Sequence, residues 1–268
     1  MTEKRIHIDK EVAKEKARGL IHTVMLNRYL VKFAIRIFMF LAVLLVYLLR
    51  KDILVSFMTH KFTFGISQYG ISALHVLWAV FMLMMIRHLI PPKVFTMALK
   101  KGEEKSFREK EGYQELELLQ FVQHMNVRAW IVLLVWLCFN AIFGLLYLAG
   151  VIDNADLLML SMFYFLSDYI CILLFCPFQT FIMKNRCCVN CRIYDWGHFM
   201  MFTPMLFIRN FFSWSLFFTA TIVLLRWEIV YALHPERFWF GSNASLDCRN
   251  CKDRTCQIKK KIAAAVKH

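Results

Sequence analysis

FMMFTPMLFIRNFFSWSLFFTATIVLLRWEIVYAL, running from Phe199 to Leu233, is an apolar stretch of 35 residues. As one helix it extends about 52 Å at 1.5 Å per residue. That is too long for one upright crossing of about 30 Å of hydrocarbon and too short for two. Pro204, which lacks an N–H, and the polar pair Arg209 and Asn210 interrupt its first half. Two readings follow. The segment is either a re-entrant or angled hairpin whose broken backbone is buried in protein, or one tilted helix with Arg209 and Arg226 snorkelling to opposite faces. The hairpin returns the carboxyl-terminal tail to the side from which the segment enters. The tilted helix exports it and offers Asn243, in the sequence NAS, to glycosylation.

Four more stretches hold close to the 20 or so apolar residues that a crossing needs: Val31 to Leu49, Ile66 to Ile90, Ala129 to Ala149 and Ala155 to Met183. With 59% hydrophobic residues and 26 Phe in 268, the expected fold is an all-α integral membrane helical bundle of about five hydrophobic segments. No β-barrel alternation appears, so the backbone satisfies itself by helix formation. Residues 1–30 read as an amphipathic basic cytoplasmic segment and not as a cleaved signal. Residues 31–233 form the bundle with a cytoplasmic connection at 91–128, and 234–268 a cysteine-rich basic cytoplasmic tail. Within the connection, ELELLQFVQHM reads as a separate surface helix with Leu116, Leu119, Val122 and Met125 on one face.

The net charge of +14 gathers beside the ends of spans, where orientation and anionic lipid headgroups account for it. No nucleic-acid-binding motif accompanies the charge, so nucleic acid is not an expected partner. Lys and Arg number eight in Met1 to Lys32, three in Arg50 to Gly65, eight in Arg87 to Arg128 and eight in His234 to His268. This bias puts the amino terminus and the long connection in the cytoplasm, and asks the same of the tail. The expected location is the plasma membrane, multi-pass, with a protein partner possible at the cytoplasmic face.

Nine cysteines fall into two kinds. Cys138, Cys171 and Cys176 lie within apolar segments and read as packing, with Pro177 kinking the fourth helix. The other six form RCCVNC, with Cys187, Cys188 and Cys191, and CRNCKDRTC, with Cys248, Cys251 and Cys256. Each block holds a C-x2-C pair, and two such pairs supply the four thiolates of a tetrahedral metal shell. Cys188, Cys191, Cys248 and Cys251 are the expected zinc ligands, with Cys187, Cys256 and His198 in reserve. An iron–sulfur cluster or a thiol–disulfide pair is the alternative. Lys184, Arg186 and Arg192 near the first block, and Arg249, Lys252 and Arg254 in the second, are expected to favour thiolates. A shared shell needs both blocks on one side of the membrane. It therefore favours the hairpin, as does the tail's charge.

Polar residues inside spans mark packing contacts or transport sites. Asn140 and Asp168 lie about midway along the third and fourth segments and are expected to meet each other, unless Asp168 pairs with Arg209. A proton- or ion-coupled transporter using Asp168 is a further functional alternative. No phosphate-binding glycine loop, HExxH or Ser-His-Asp arrangement is evident, which leans against an enzyme; an oxidoreductase is the enzymatic alternative.

The stretches HVLWAVFMLMMIRHLIPP, CILLFCPFQTFIMKNRCCVNCRIYDW, LLRWEIVYALHPERF and CRNCKDRTC together resemble a group of uncharacterised bacterial multi-pass membrane proteins. The resemblance covers roughly the second half of the chain and part of the second segment. It implies a bacterial plasma membrane, and it implies no activity and no site residue.

Overall fold

The computed structural model describes residues 23–52, 54, 72–90, 96–185, 187–251 and 253–259. The expected basic leader up to residue 22 lies outside them. Among the described residues the fold is all-α. Its helices are α1 (Val24–Leu49), α2 (Ala73–Leu89), α3 (Met97–Lys100), α4 (Glu115–Leu148), α5 (Asn154–Leu173), α6 (Gly197–Phe202) and α7 (Phe211–Leu233). α1, α4, α5 and α7 are each long and apolar enough to cross a bilayer, so this is a membrane protein.

Capping residues set the helix starts. Thr23 accepts from the Leu26 N–H, Asp153 accepts from Ala155 and Asp156 at the head of α5, and Asn210 accepts from Ser213 at the head of α7. α7 illustrates the sorting of its faces. Phe218, Ile222, Leu225 and Ile229 point outward and are more than half exposed, whereas Leu216, Ala220, Val223 and Trp227 are buried. A helix that exposes its large aliphatics at three- and four-residue spacing and buries the other face fits a hydrocarbon solvent.

The Phe199–Leu233 stretch is a hairpin. Its first limb, α6 followed by a 3-10 turn at Thr203–Phe207, runs beside α4 in the same direction. Arg192 donates to the Met125 carbonyl, Trp136 to the Thr203 hydroxyl, and the Phe207 ring sits against Gly144. These contacts span about 28 Å of α4, which the limb covers in few residues because 3-10 turns rise about 2 Å per residue. Pro204 starts the 3-10 turn, Arg209 sits exposed at the tip, and Asn210 restarts the helix. α7 then comes back: Trp214 donates to the Leu206 carbonyl near the tip, and Trp227 to the Arg192 carbonyl at the far end.

Two other expectations need correction. The fourth helix ends at Leu173, ten residues earlier than expected, because Pro177 removes an N–H and the chain continues as a separate π-helical turn at Phe178–Met183. ELELLQFVQHM is no separate surface helix but the start of α4, which at about 51 Å projects well past any hydrocarbon layer. Leu116 and Leu119 are exposed there, while Phe121 stacks on Trp239 at 5.7 Å. Of the second segment, residues 73–89 form α2, and residues 66–71 lie outside the described set.

α5 packs antiparallel to α1, as Arg36–Asp168 at one end and Lys51–Asp156 at the other require. One end of the bundle thus gathers Thr23, α3 and its loop, residues 184–196 and the tail from 234. The opposite end gathers 50–52, the 149–154 link and the hairpin tip. Both cysteine blocks occupy the first end. Asn243 is fully buried and donates to the Arg237 carbonyl, so its amide is committed to packing.

Gly144 keeps the hairpin tip closed. A methyl added there would lie 2.2 Å from the Phe207 ring. Gly144→Ala is expected to push that ring aside and cost about 1–3 kcal/mol, read as a lower thermal midpoint by circular dichroism in detergent. Gly102→Ala, whose new methyl meets nothing closer than 3.6 Å, should leave the midpoint nearly unchanged.

Candidate functional site

The two cysteine blocks fold alike. Cys188–Asn190 form one 3-10 turn closed by the Cys191 N–H on the Cys188 carbonyl at 3.0 Å, and Cys248–Asn250 repeat it with Cys251 on Cys248 at 3.3 Å. The closing cysteines have φ/ψ of −73/126 and −71/116. Both turns read C-x-N-C.

Their thiols face different surroundings. Cys188 donates to the Gln179 amide oxygen at 3.0 Å and accepts from Lys259 Nζ at 3.0 Å. Burial pushes its thiol up to about 12 against the pull of Lys259, and burial raises Cys191 as well. Both therefore stay protonated at neutral pH, contrary to the expectation that cations would make them thiolates. The reason is that burial outweighs the cations that do reach them, Lys259 at Cys188 and Lys101 at Cys191, while Arg192 is itself buried, ion-paired with Glu228 and stacked over the Tyr231 ring. Arg186 and Lys252 lie outside the described residues. Cys248 is exposed, and Cys187 and Cys251 pack against Ala98, Val189 and Leu246. Cys256 is half-buried.

The loop and tail cysteines thus come to one end of the molecule, but their sulfurs are not gathered. Among the described residues no three His, Cys, Asp or Glu side chains are arranged to hold a metal ion. Cys171 and Cys176, expected only to pack, line one mainly apolar cavity of about 440 Å³ together with Cys188 and Cys191.

Polar side chains fasten the tail over this loop. Lys101, 2% exposed, donates to the Val189 and Cys191 carbonyls at 2.9 and 2.5 Å, and its ammonium lies over the Trp227 and Phe238 rings. Burial pulls its pKa down to about 8, against the pull of Cys191 and Cys187. Asp253 in the tail accepts the Met97 N–H at 3.0 Å, at the head of α3. Lys110 joins the Phe240 carbonyl to Asp247, and Lys259 joins the Cys171 carbonyl to Gln179. In sequence Lys101 was one of several loop cations and Gln179 part of an apolar segment. Nothing in the pattern separates them from solvated or packing residues.

The intramembrane polar residues do not meet as expected. Asn140 is buried, donates to the Trp136 carbonyl and accepts from Tyr164 OH at 3.2 Å. Asp168 pairs instead with Arg36 of α1 at 2.8 Å, because Arg36 is buried and its guanidinium needs a counter-charge. Arg209, at the hairpin tip, is out of reach of this pair. His198 meets His88 (Nε2–Nε2 3.3 Å) and no cysteine.

Comparison of the chain with protein-family models, curated proteins and solved structures finds no match. A functional reading therefore rests on the chain's own geometry.

Proposed function

We propose that this is a multi-pass protein of a bacterial plasma membrane, with its amino terminus and tail in the cytoplasm. In this reading it acts as a scaffold, partner-binding or transport-system component, and its tail is clamped to the loop after α5. Zinc on Cys188, Cys191, Cys248 and Cys251 completes the clamp. One observation carries the reading: two C-x-N-C turns of the same backbone geometry lie at the same end of the bundle, with Lys101 and Asp253 already holding loop, α3 and tail together. For the metal to bind, Cys188 must turn away from Gln179 and the buried thiols must lose their protons, so uptake is coupled to proton release and weakens as pH falls.

A second reading has its own support. Four cysteines on one cavity, Cys171, Cys176, Cys188 and Cys191, with the Cys188 thiol 3.7 Å from the Cys171 carbonyl, suit a membrane oxidoreductase working by thiol–disulfide exchange. Metal analysis and thiol titration of anaerobically purified protein separate the two. The clamp predicts about one zinc per chain, lost in Cys188→Ser/Cys251→Ser, with the tail then cut faster by protease. A chain without zinc in which a cysteine pair oxidises reversibly replaces the clamp with the redox reading. A visible absorption band with bound iron points to the cluster instead.

A further inference from the structure

Away from the thiols, a cavity of about 470 Å³ opens at the same end of the bundle, between α1, α2, the end of α5 and residues 194–198. Its floor is an ordered polar network. Arg36 holds Asp168 at 2.8 Å and lies 4.0 Å over the rings of Phe165 and Tyr169. His88 bridges Asp195 at 2.7 Å and His198 at 3.3 Å. His198 is 7% exposed, lines the cavity, and its Nδ1 has no hydrogen-bond partner among the described residues. A buried ring nitrogen without a partner is costly unless something completes it.

The rim adds charge that no described carboxylate compensates. Arg28, Lys32 and Arg87 line the opening and are exposed, and none has a carboxylate partner among the described residues. They are close enough to act on one another: Arg36, Arg28 and Arg87 all repel Lys32. The two carboxylates in the cavity, Asp168 and Asp195, are already engaged by Arg36 and His88. Four fixed cations against two committed carboxylates leave the site positive. Two of the rim cations are arginines, whose planar forks match phosphate oxygens.

The neighbours of those cations are lipid-facing. Val31 and Ile35 flank Lys32 on α1, and Leu83 and Ile86 precede Arg87 on α2, all exposed. An anion held at the rim therefore has apolar surface beside it for a hydrocarbon tail. We infer that this cavity binds the phosphate monoester group of an amphiphile, with Arg28, Lys32 and Arg87 on the phosphate oxygens and His198 Nδ1 completing the polar floor. A monoester, with up to two negative charges near neutrality, answers three converging cations better than a singly charged diester or carboxylate. A water-soluble phosphate monoester offers the same group without the tail.

The test uses the full chain in a neutral detergent, titrated with dioleoyl phosphatidic acid and followed by native mass spectrometry, with phosphatidylcholine as the comparison lipid. The expected result is one phosphatidate per chain at saturation. Binding should weaken at least tenfold in Lys32→Gln/Arg87→Gln and stay unchanged in Arg50→Gln/Arg209→Gln, which removes the same charge from the exposed opposite end. Lys32→Gln alone repeats the measurement with a milder change. Glycerol 3-phosphate separates the sources: failure to displace phosphatidate at millimolar concentration assigns the site to a lipid, and displacement at micromolar concentration assigns it to a soluble monoester. Binding that never saturates, or equal weakening in both double variants, would overturn the site and leave only general attraction to a basic surface.

Discussion

Asp168→Leu should lower the stability of the detergent-purified chain by about 3 kcal/mol, while the double variant Arg36→Met/Asp168→Leu should recover most of that loss. The first figure sits at the lower end of the cost of breaking a buried ion pair, because the Asp168 side chain is still a quarter exposed while that of Arg36 is 8% exposed. Removing the carboxylate strands a guanidinium that has only the Phe165 carbonyl and two ring faces left to it. Removing both charges leaves a methionine and a leucine among Phe165 and Tyr169, an apolar exchange of similar volume that buried pairs often tolerate within about 1 kcal/mol. Midpoints from thermal unfolding, followed by circular dichroism, decide the matter. A single variant as stable as the parent would mean that Arg36 reaches water, and the pair would then not fix α1 against α5. A double variant as damaged as the single would mean that the pair contributes more than charge neutralisation.

This pair also marks where sequence reasoning lost resolution. Hydropathy finds helices because lipid imposes one solvent on every outward face, and the four long spans and the interruption at Pro204, Arg209 and Asn210 were legible for that reason. Partner choice was not legible. Asn140 and Arg209 were the expected partners of Asp168, and only the packing of α5 on α1 brings in Arg36. The fourth helix was read too long because an apolar run does not say where its hydrogen bonding changes. Pro177 was a visible breaker, but its effect reaches back four residues, so the helix ends at Leu173. The C-x-N-C turns were found because spacing alone fixes them. The approach of Cys171 and Cys176 to Cys188 was hidden, since cysteines inside spans look like any small apolar residue. The basic cavity was hidden differently: Arg28, Lys32 and Arg87 were counted as orientation signals, and orientation does not reveal that they face one opening.

Lys101→Ala should cost about 3 kcal/mol and open the thiol cavity. Two carbonyls, Val189 and Cys191, lose their donor, at about 1–3 kcal/mol each when left bare. The three buried methylenes that alanine lacks are worth about 2 kcal/mol more. Against this stands the relief of a buried charge: a pKa drawn from 10.5 to about 8 by burial corresponds to about 3 kcal/mol, so the loss outweighs the gain. The same shift fixes the pH dependence. Below pH 8 the lysine is charged in both folded and unfolded chains, and the burial cost is fully present. Between pH 8 and 10.5 the folded chain releases the proton while the unfolded chain keeps it, so stability rises with pH. From pH 7 to 9 the gain is about 1 kcal/mol, and it should vanish in Lys101→Ala. Because Lys101 holds the turn that carries Cys188 and Cys191, the variant should also expose those two thiols to maleimide well below its unfolding midpoint. Cys248, already exposed in the tail, should react at the same rate in both proteins. Equal labelling of Cys188 and Cys191 in parent and variant would mean that the tail contacts of Asp253 and Lys259 alone keep the cavity closed. The clamp would then reside in the tail and not in the lysine beneath the loop.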